Sequence, residues 1–224
     1  MIPWERLDKA AMPDGGELRL MRRGAEFSIW LNKIELMNSR LSGSEEALAQ
    51  LAADRLQHVT APNILIGGLG MGFTLRAALT AFGGTAKITI AELVPAVVEW
   101  AKGPMSDLFG NALDDSRSHL HLGDVGPLIE FSSNMYDAIL LDVDNGPEGL
   151  TRVENDAIYS ATGLGHAKRA LRPGGVLAVW ASTPNAAFTR RMKQSGLKTD
   201  EVCVKANAGK KGTRHVIWLG ATNP

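Results

Sequence analysis

Asn63-Ile64-Leu65-Ile66-Gly67-Gly68-Leu69-Gly70-Met71-Gly72 decides the fold. Its first half is an apolar run of strand length, and its second half alternates glycine with apolar residues before a helical pattern from about Phe73 to Phe82. A strand that enters a helix through such a turn lets backbone amides approach a ligand closely and aims a helix N-terminus at the ligand's polar group. A tight turn with no ligand would use the same glycines, so the spacing needs support from the rest of the chain.

The segments downstream of the loop supply that support. Ile88-Thr89-Ile90, a helix from about Pro95 to Lys102, His119-Leu120-His121-Leu122, a short helix near Pro127 to Phe131, Ala138-Ile139-Leu140-Leu141, a helix from about Asp156 to Leu171 and Val176-Leu177-Ala178-Val179-Trp180 alternate strand with helix. That order implies parallel βαβ units. Glu201 to Lys205 and His215 to Leu219 read instead as an antiparallel hairpin. Upstream, Glu17 to Leu20, Phe27 to Leu31 and Ile34 to Leu36 suggest a small antiparallel sheet, and Ser42 with Glu45 forms a capping-box signal for a helix running to about His58. The expected fold is therefore α/β, a doubly wound, mostly parallel seven-stranded sheet with a C-terminal antiparallel hairpin and a small N-terminal β appendage. Residues 1–58 would hold the appendage and its linker helix, and residues 59–224 the Rossmann-like ligand-binding domain.

Three acids end successive strands: Glu92, 20 residues after Gly72, then Asp124 and Asp142. In an open parallel sheet ligands bind beyond the carboxyl ends of the strands, so these acids and the glycine loop should meet in one crevice. Any one of them alone could be a helix cap. The spacing differs from Gly-x-Gly-x-x-Gly, and no basic residue is placed for a 2′-phosphate, which favours a nucleoside without a pyrophosphate.

Composition bounds the partners. The 224 residues are 45% hydrophobic and 21% charged, with 24 Lys plus Arg against 24 Asp plus Glu, so no net field steers the chain to nucleic acid or anionic lipid. The basic group Lys205, Lys210, Lys211 and Arg214 reads as solvated hairpin charge. Leu56 to Leu75 is uncharged but carries Pro62 and four spaced glycines, against a membrane helix. The start lacks the basic and apolar regions of a secretory signal, giving a cytoplasmic expectation. Cys203, flanked by Val202 and Val204, is expected to pack inside a strand. The five histidines show no zinc spacing, and Ala181-Ser182-Thr183-Pro184 lacks the acid and the amide that would complete an oxygen-ligand magnesium site with Asp142, so no metal is expected. Trp180, near the end of the fifth strand, is a candidate wall for an acceptor pocket.

With Tyr136-Asp137 and Leu171-Arg172-Pro173-Gly174-Gly175-Val176, these segments resemble the class I S-adenosylmethionine-dependent methyltransferase superfamily, with its Rossmann-like fold, and within it the spermidine synthase-like family. The more specific matches are Ile64 to Gly68, Ala91-Glu92-Leu93-Val94-Pro95, and Asp142 followed by Gly146-Pro147. The resemblance covers roughly residues 17 to 220. It implies that Glu92 binds the ribose, Asp124 the adenine amino group, that Gly68, Gly70 and Gly72 lie beneath the amino-acid moiety, and that Leu93, Val125 and Asp142 complete the nucleotide site.

The departures from that family bear on the reaction. Gly70 stands where the aminopropyltransferases carry an Asp that pairs with the amine of decarboxylated S-adenosylmethionine. Glu46 and Ala47 stand where a Tyr followed by His or Gln holds the polyamine. The two-acid motif is reduced to Asp142-Val143-Asp144-Asn145-Gly146-Pro147. The expectation is thus methyl transfer from S-adenosylmethionine to a small, amine-bearing acceptor, with Asp142 and Asp144 orienting or deprotonating it. The alternatives are aminopropyl transfer from decarboxylated S-adenosylmethionine, as in spermidine synthase, and a non-catalytic nucleoside-binding protein. The partners expected are a small-molecule acceptor, no nucleic acid and no membrane, with a homodimer left open.

Overall fold

A computed structural model describes residues 2–13, 15–143, 146–147, 157–207 and 212–224. Two sheets organise them. The first is antiparallel, in the order β1 (Glu5–Ala11), β2 (Glu17–Arg23), β3 (Glu26–Leu31) and β4 (Ile34–Asn38). The second has seven strands in the order β10 (Lys198–Lys205), β11 (Arg214–Ala221), β9 (Leu171–Ala181), β8 (Tyr136–Leu141), β5 (Asn63–Gly67), β6 (Lys87–Glu92) and β7 (Ser118–Leu122). β5 to β9 run parallel, while β11 is antiparallel to both β9 and β10. This is the doubly wound sheet with a terminal hairpin that the alternation implies.

Period-two alternation sends successive side chains to opposite faces, and each face has its own core. Ile64, Ile66, Ile88, Ile90, Leu140 and Trp180 share one with α1 (Gly43–Arg55), α2 (Phe73–Ala81), α3 (Pro95–Lys102) and the N-terminal sheet. Leu65, Ile139, Leu141, Leu177 and Val179 share the other with α5 (Val125–Glu130), α6 (Ala161–Ala170) and α7 (Ala186–Gln194); the short α4 (Ser106–Phe109) lies between α3 and β7 in the chain. The N-terminal sheet thus continues the first core, and Trp100 Nε1 on α3 donates to Asp8 on β1 at 2.7 Å. At the opposite end of the sheet Asp137, buried, accepts from the backbone N–H of Asn63 at 2.7 Å and from Arg172 at 2.6 Å, fastening the starts of β5, β8 and β9 together.

The structure departs from expectation at particular places. β1 was not expected: Glu5-Arg6-Leu7-Asp8-Lys9 is largely exposed, and an edge strand with little buried surface carries no apolar alternation to read. α7 was missed because it buries only Phe188 and Met192. The helix expected from about Asp156 is interrupted at Ser160: α6 begins at Ala161, where Ser160 caps it by accepting from Gly163 N at 3.0 Å. Asp156 itself, with Lys210 and Lys211 of the basic hairpin turn, falls outside the described residues. Ser42 stands at the N-cap of α1 but makes no side-chain cap; Glu45 accepts instead from the Ser44 hydroxyl, so the capping box does not form. Cys203 is exposed: on β10, an edge strand, it is Val202 and Val204 that turn towards the core, and the expected packing role is withdrawn. Among the described residues no helix is long and apolar enough to cross a membrane.

Candidate functional site

The turn from β5 into α2 sets one wall of a crevice. Gly68 has φ +92°, and a Cβ there would stand 2.4 Å from the Asp142 carbonyl oxygen; only glycine lets the loops after β5 and β8 lie this close. Asp142 N donates to Gly67 O at 3.0 Å and Gly68 N to Ala91 O at 2.9 Å, so three neighbouring strand ends are tied together. Gly72, also at positive φ, precedes α2. Gly70 has φ +51°, and a Cβ there would meet the Met37 thioether, Sδ and Cε both at 3.1 Å. Met37 reaches down from β4, so the space above Gly70 is bounded by a sulfur and a methyl group.

Glu92 is buried at the end of β6, its Oε2 accepting from Leu69 N at 3.0 Å and its Oε1 from Val94 N at 2.8 Å. Burial raises its pKa, and the amides of Val94, Leu69, Gly70 and Leu93 counter this in part. The glycine-loop amides therefore turn partly onto Glu92 rather than wholly towards a ligand. Each carboxyl oxygen keeps a further acceptor site for a hydroxyl group. Asp124 lines the crevice and also caps α5, accepting from Gly126 N at 2.8 Å. The helix-cap reading of this strand-end acid holds, and the residue also borders the crevice.

Gly68, Gly70, Glu92, Leu93, Asp124, Val125 and Asp142 all line this one crevice, with Trp180 among them. Gly72, expected beneath the ligand, is not among the lining residues: the side on which a Cβ would stand is filled by the Phe109 ring. Asp144 falls outside the described residues. The roof comes from the N-terminal sheet, through Met12, Leu18, Ile29, Leu36 and Met37. Those residues went unnoticed in the sequence because apolar side chains in a small sheet read simply as core.

Two carboxyls stand beside the loop and line the crevice. Asp142 Oδ2 accepts from Thr74 Oγ1 at 2.6 Å, and burial lifts the acid to about 6. Glu45 enters from the first turn of α1; burial, with the Asp142 charge adding to it, lifts that carboxyl to about 7. Glu46, its neighbour, is exposed and faces a separate polar cleft beside α2. It is Glu45, not Glu46, that reaches the crevice. A carboxyl pair with raised pKa values beside a buried crevice can bind an ammonium group, or take a proton from one near neutral pH. Among the described residues no group of three or more His, Cys, Asp or Glu gathers as a metal site.

This architecture has known counterparts. The family model for the spermine/spermidine synthase domain matches residues 43–204. A polyamine aminopropyltransferase of Sulfolobus acidocaldarius is 30% identical over 138 residues, 61% of this chain and 44% of the relative. Another, from Prochlorococcus marinus, is 30% identical over 125 residues, 55% of this chain and 42% of the relative. The chain therefore spans less than half the length of these curated relatives. The crystal structure of spermidine synthase from Thermotoga maritima superposes with a TM-score of 0.79 at 16% identity, over 97% of this chain and 73% of that one. A spermidine synthase in complex with the transition-state analogue AdoDATO gives 0.78 at 16% identity, over 97% and 72%. At that identity the structural likeness speaks for the fold. With a model that matches most of its length, the chain belongs to the spermine/spermidine synthase family.

Proposed function

We propose that this chain transfers an alkyl group from a sulfonium nucleoside to an amine, and that the group is the aminopropyl of decarboxylated S-adenosylmethionine. The observation that carries the reading is the Glu45–Asp142 pair beside the crevice; the names of the curated relatives favour the same choice over methyl transfer. Glu92 would accept from the ribose hydroxyls, Asp124 would face the adenine, and Gly68, Gly70, Leu93 and Val125 would form the surface beneath the nucleoside. A polyamine arrives as an ammonium ion. Asp142 or Glu45 takes one proton, the freed nitrogen lone pair attacks the carbon next to sulfur, the carbon–sulfur bond breaks, and a neutral thioether leaves. The sulfonium is activated already, so positioning and proton removal are what the protein supplies.

A second reading, methyl transfer from intact S-adenosylmethionine, has one observation in its favour. Met37 covers Gly70, so no carboxylate stands there to pair with a lone amine. Calorimetric titration with both nucleotides, followed by mass analysis of the product formed from a diamine, separates the two. Preference for the decarboxylated form and an aminopropylated product are expected. A methylated product would establish the second reading, and no product from either nucleotide would overturn both.

A further inference from the structure

The Ser44 hydroxyl lies between two ionisable groups. Its Oγ is 2.6 Å from Glu45 Oε2 and 2.8 Å from His215 Nδ1. Ser44 is fully buried, Glu45 lines the crevice, and His215 on β11 is half-buried, with its ring edge-on to Trp180 at 4.9 Å between centroids. Ser44 and His215 are 171 residues apart, so the contact arises from the docking of α1 on β11 and not from a local turn. A hydroxyl carries one proton and can donate it to one neighbour while accepting from the other. The three groups thus form a continuous chain from the crevice towards the outside of the sheet.

We propose that Glu45, Ser44 and His215 form a proton path that carries the acceptor's proton from the crevice to solvent. The inference rests on the amine-transfer reading. In the step, protonated Glu45 gives its proton to Ser44 Oγ while Ser44 gives its own to His215 Nδ1. The carboxylate and the hydroxyl are restored, and the imidazolium formed releases a proton from Nε2 to water. Charge and protons balance without a further reactant. Burial holds the His215 imidazole below the usual histidine range, so it is neutral at pH 7 and free to accept. Tying α1 to β11 would need only Ser44 and His215; the carboxyl on the crevice side is what makes the arrangement a path.

The surroundings of both ends bear on any titration. Glu45 faces Asp142 after β8, Thr74 from α2 and, on its own helix, Glu46. His215 faces Ser44 from α1 and Trp180 from β9; on β10 it pairs with Val204, next to the paired cations Lys205 and Arg214. The Arg55–Asp200 ion pair joins α1 to β10 at the far end of the helix.

Ser44→Ala and His215→Ala test the path in the full chain, with thermal melting to establish that each is folded. In dilute non-nucleophilic buffer each should lower kcat by about tenfold or more, with the nucleotide KM unchanged. Added imidazole should restore His215→Ala, where it can occupy the vacated space, and should leave Ser44→Ala slow. Unchanged kcat in both variants, or loss in His215→Ala without rescue, would overturn the path while leaving the transfer reading intact. No turnover by the unaltered protein would instead overturn the transfer reading. The connection is then decided without substrate, by following the His215 ring nitrogens against pH by NMR. Their signals should show a further step near pH 7, where Glu45 ionises and draws the Ser44 hydroxyl away from Nδ1; Glu45→Gln should remove that step, and a profile unaltered by the substitution would overturn the connection.

Discussion

Glu45 and Asp142, 97 residues apart in sequence, stand close enough beside the crevice for the charge of one to raise the pKa of the other. The native protein therefore holds protons that the unfolded chain releases: Glu45 moves from 4.5 to about 7, and Asp142 from 3.8 to about 6. Where the native state binds more protons, stability falls as pH rises. The contribution is fully present below the unfolded values and is lost as pH climbs from about 4 to about 7. Glu45→Gln removes a large part of this dependence, so the variant should be more stable than the unaltered protein at pH 8, by about 1 kcal/mol or more, and nearly equal to it at pH 4.5. Urea melts at the two pH values check it; equal stability at pH 8 would place Glu45 in contact with water.

Gly70 and Met37 set a condition on nucleotide choice. An acid at position 70 would pair with a lone amine and repel a retained carboxylate, but its Cβ would press on the Met37 thioether and its backbone would have to hold φ +51°. Asp tolerates that conformation better than most residues, at a cost of about 1–2 kcal/mol. Gly70→Asp alone should therefore lose stability and bind both nucleotides weakly. Gly70→Asp combined with Met37→Ala should shift preference towards decarboxylated S-adenosylmethionine by about tenfold, since a difference of about 1.4 kcal/mol suffices. Competition calorimetry reads the ratio directly; a strong preference in Gly70→Asp alone would show that Met37 moves aside without cost.

On the proposed reading Glu92 both holds its loop and binds the nucleotide, and two substitutions separate these duties. Glu92→Ala removes the acceptor of the Leu69 and Val94 amides and leaves both buried, at about 1–3 kcal/mol for each group left unpaired. Glu92→Gln keeps one acceptor oxygen and replaces the other by a donor. The alanine variant should melt markedly lower even without nucleotide. The glutamine variant should melt closer to the unaltered protein while binding nucleotide about 1–3 kcal/mol less tightly. If nucleotide affinity were unchanged in Glu92→Gln, the residue would serve the loop alone.

The glycine loop and the three acids were legible because their relation is carried by spacing along the chain: a strand ends, an acid comes next, a helix begins. Glu45 and Glu46 were legible together as acids opening a helix that, by the family resemblance, packs over an acceptor pocket, with a plain helix-terminus role as the alternative; that Glu45 alone reaches the crevice was not legible. What gives it chemistry is Asp142, Ser44 and His215, and two of those three lie on distant elements. The capping-box signal at Ser42 and Glu45 pointed the wrong way because a side chain drawn to a crevice cannot also close its own helix end. Met37 was invisible for a related reason, since its place over Gly70 depends on how one sheet docks on another. Cys203 and β1 fail differently: both belong to edge strands, where apolar alternation weakens or changes face.

Thr74 and Asp142 carry the last prediction. The hydroxyl of Thr74, nearly wholly buried, donates to Asp142 at 2.6 Å and lies 3.4 Å from the carbonyl of Glu45, so it holds the carboxyl that on the proposed reading meets the acceptor. Asp142→Asn keeps the shape and removes both the charge and the basicity. Transfer should fall by about a hundredfold or more, with nucleotide affinity held within about tenfold. Thr74→Val keeps the volume and removes the donor that favours the charged form, so the Asp142 pKa should rise further and the rise of kcat with pH should move to higher pH, while the plateau falls less than in Asp142→Asn. Single-turnover rates across pH 5 to 9 in the three proteins distinguish the roles. If Asp142→Asn kept full turnover, the proton would leave through Glu45 alone; if the profile of Thr74→Val were unshifted, the hydroxyl would be shaping the crevice without tuning the acid.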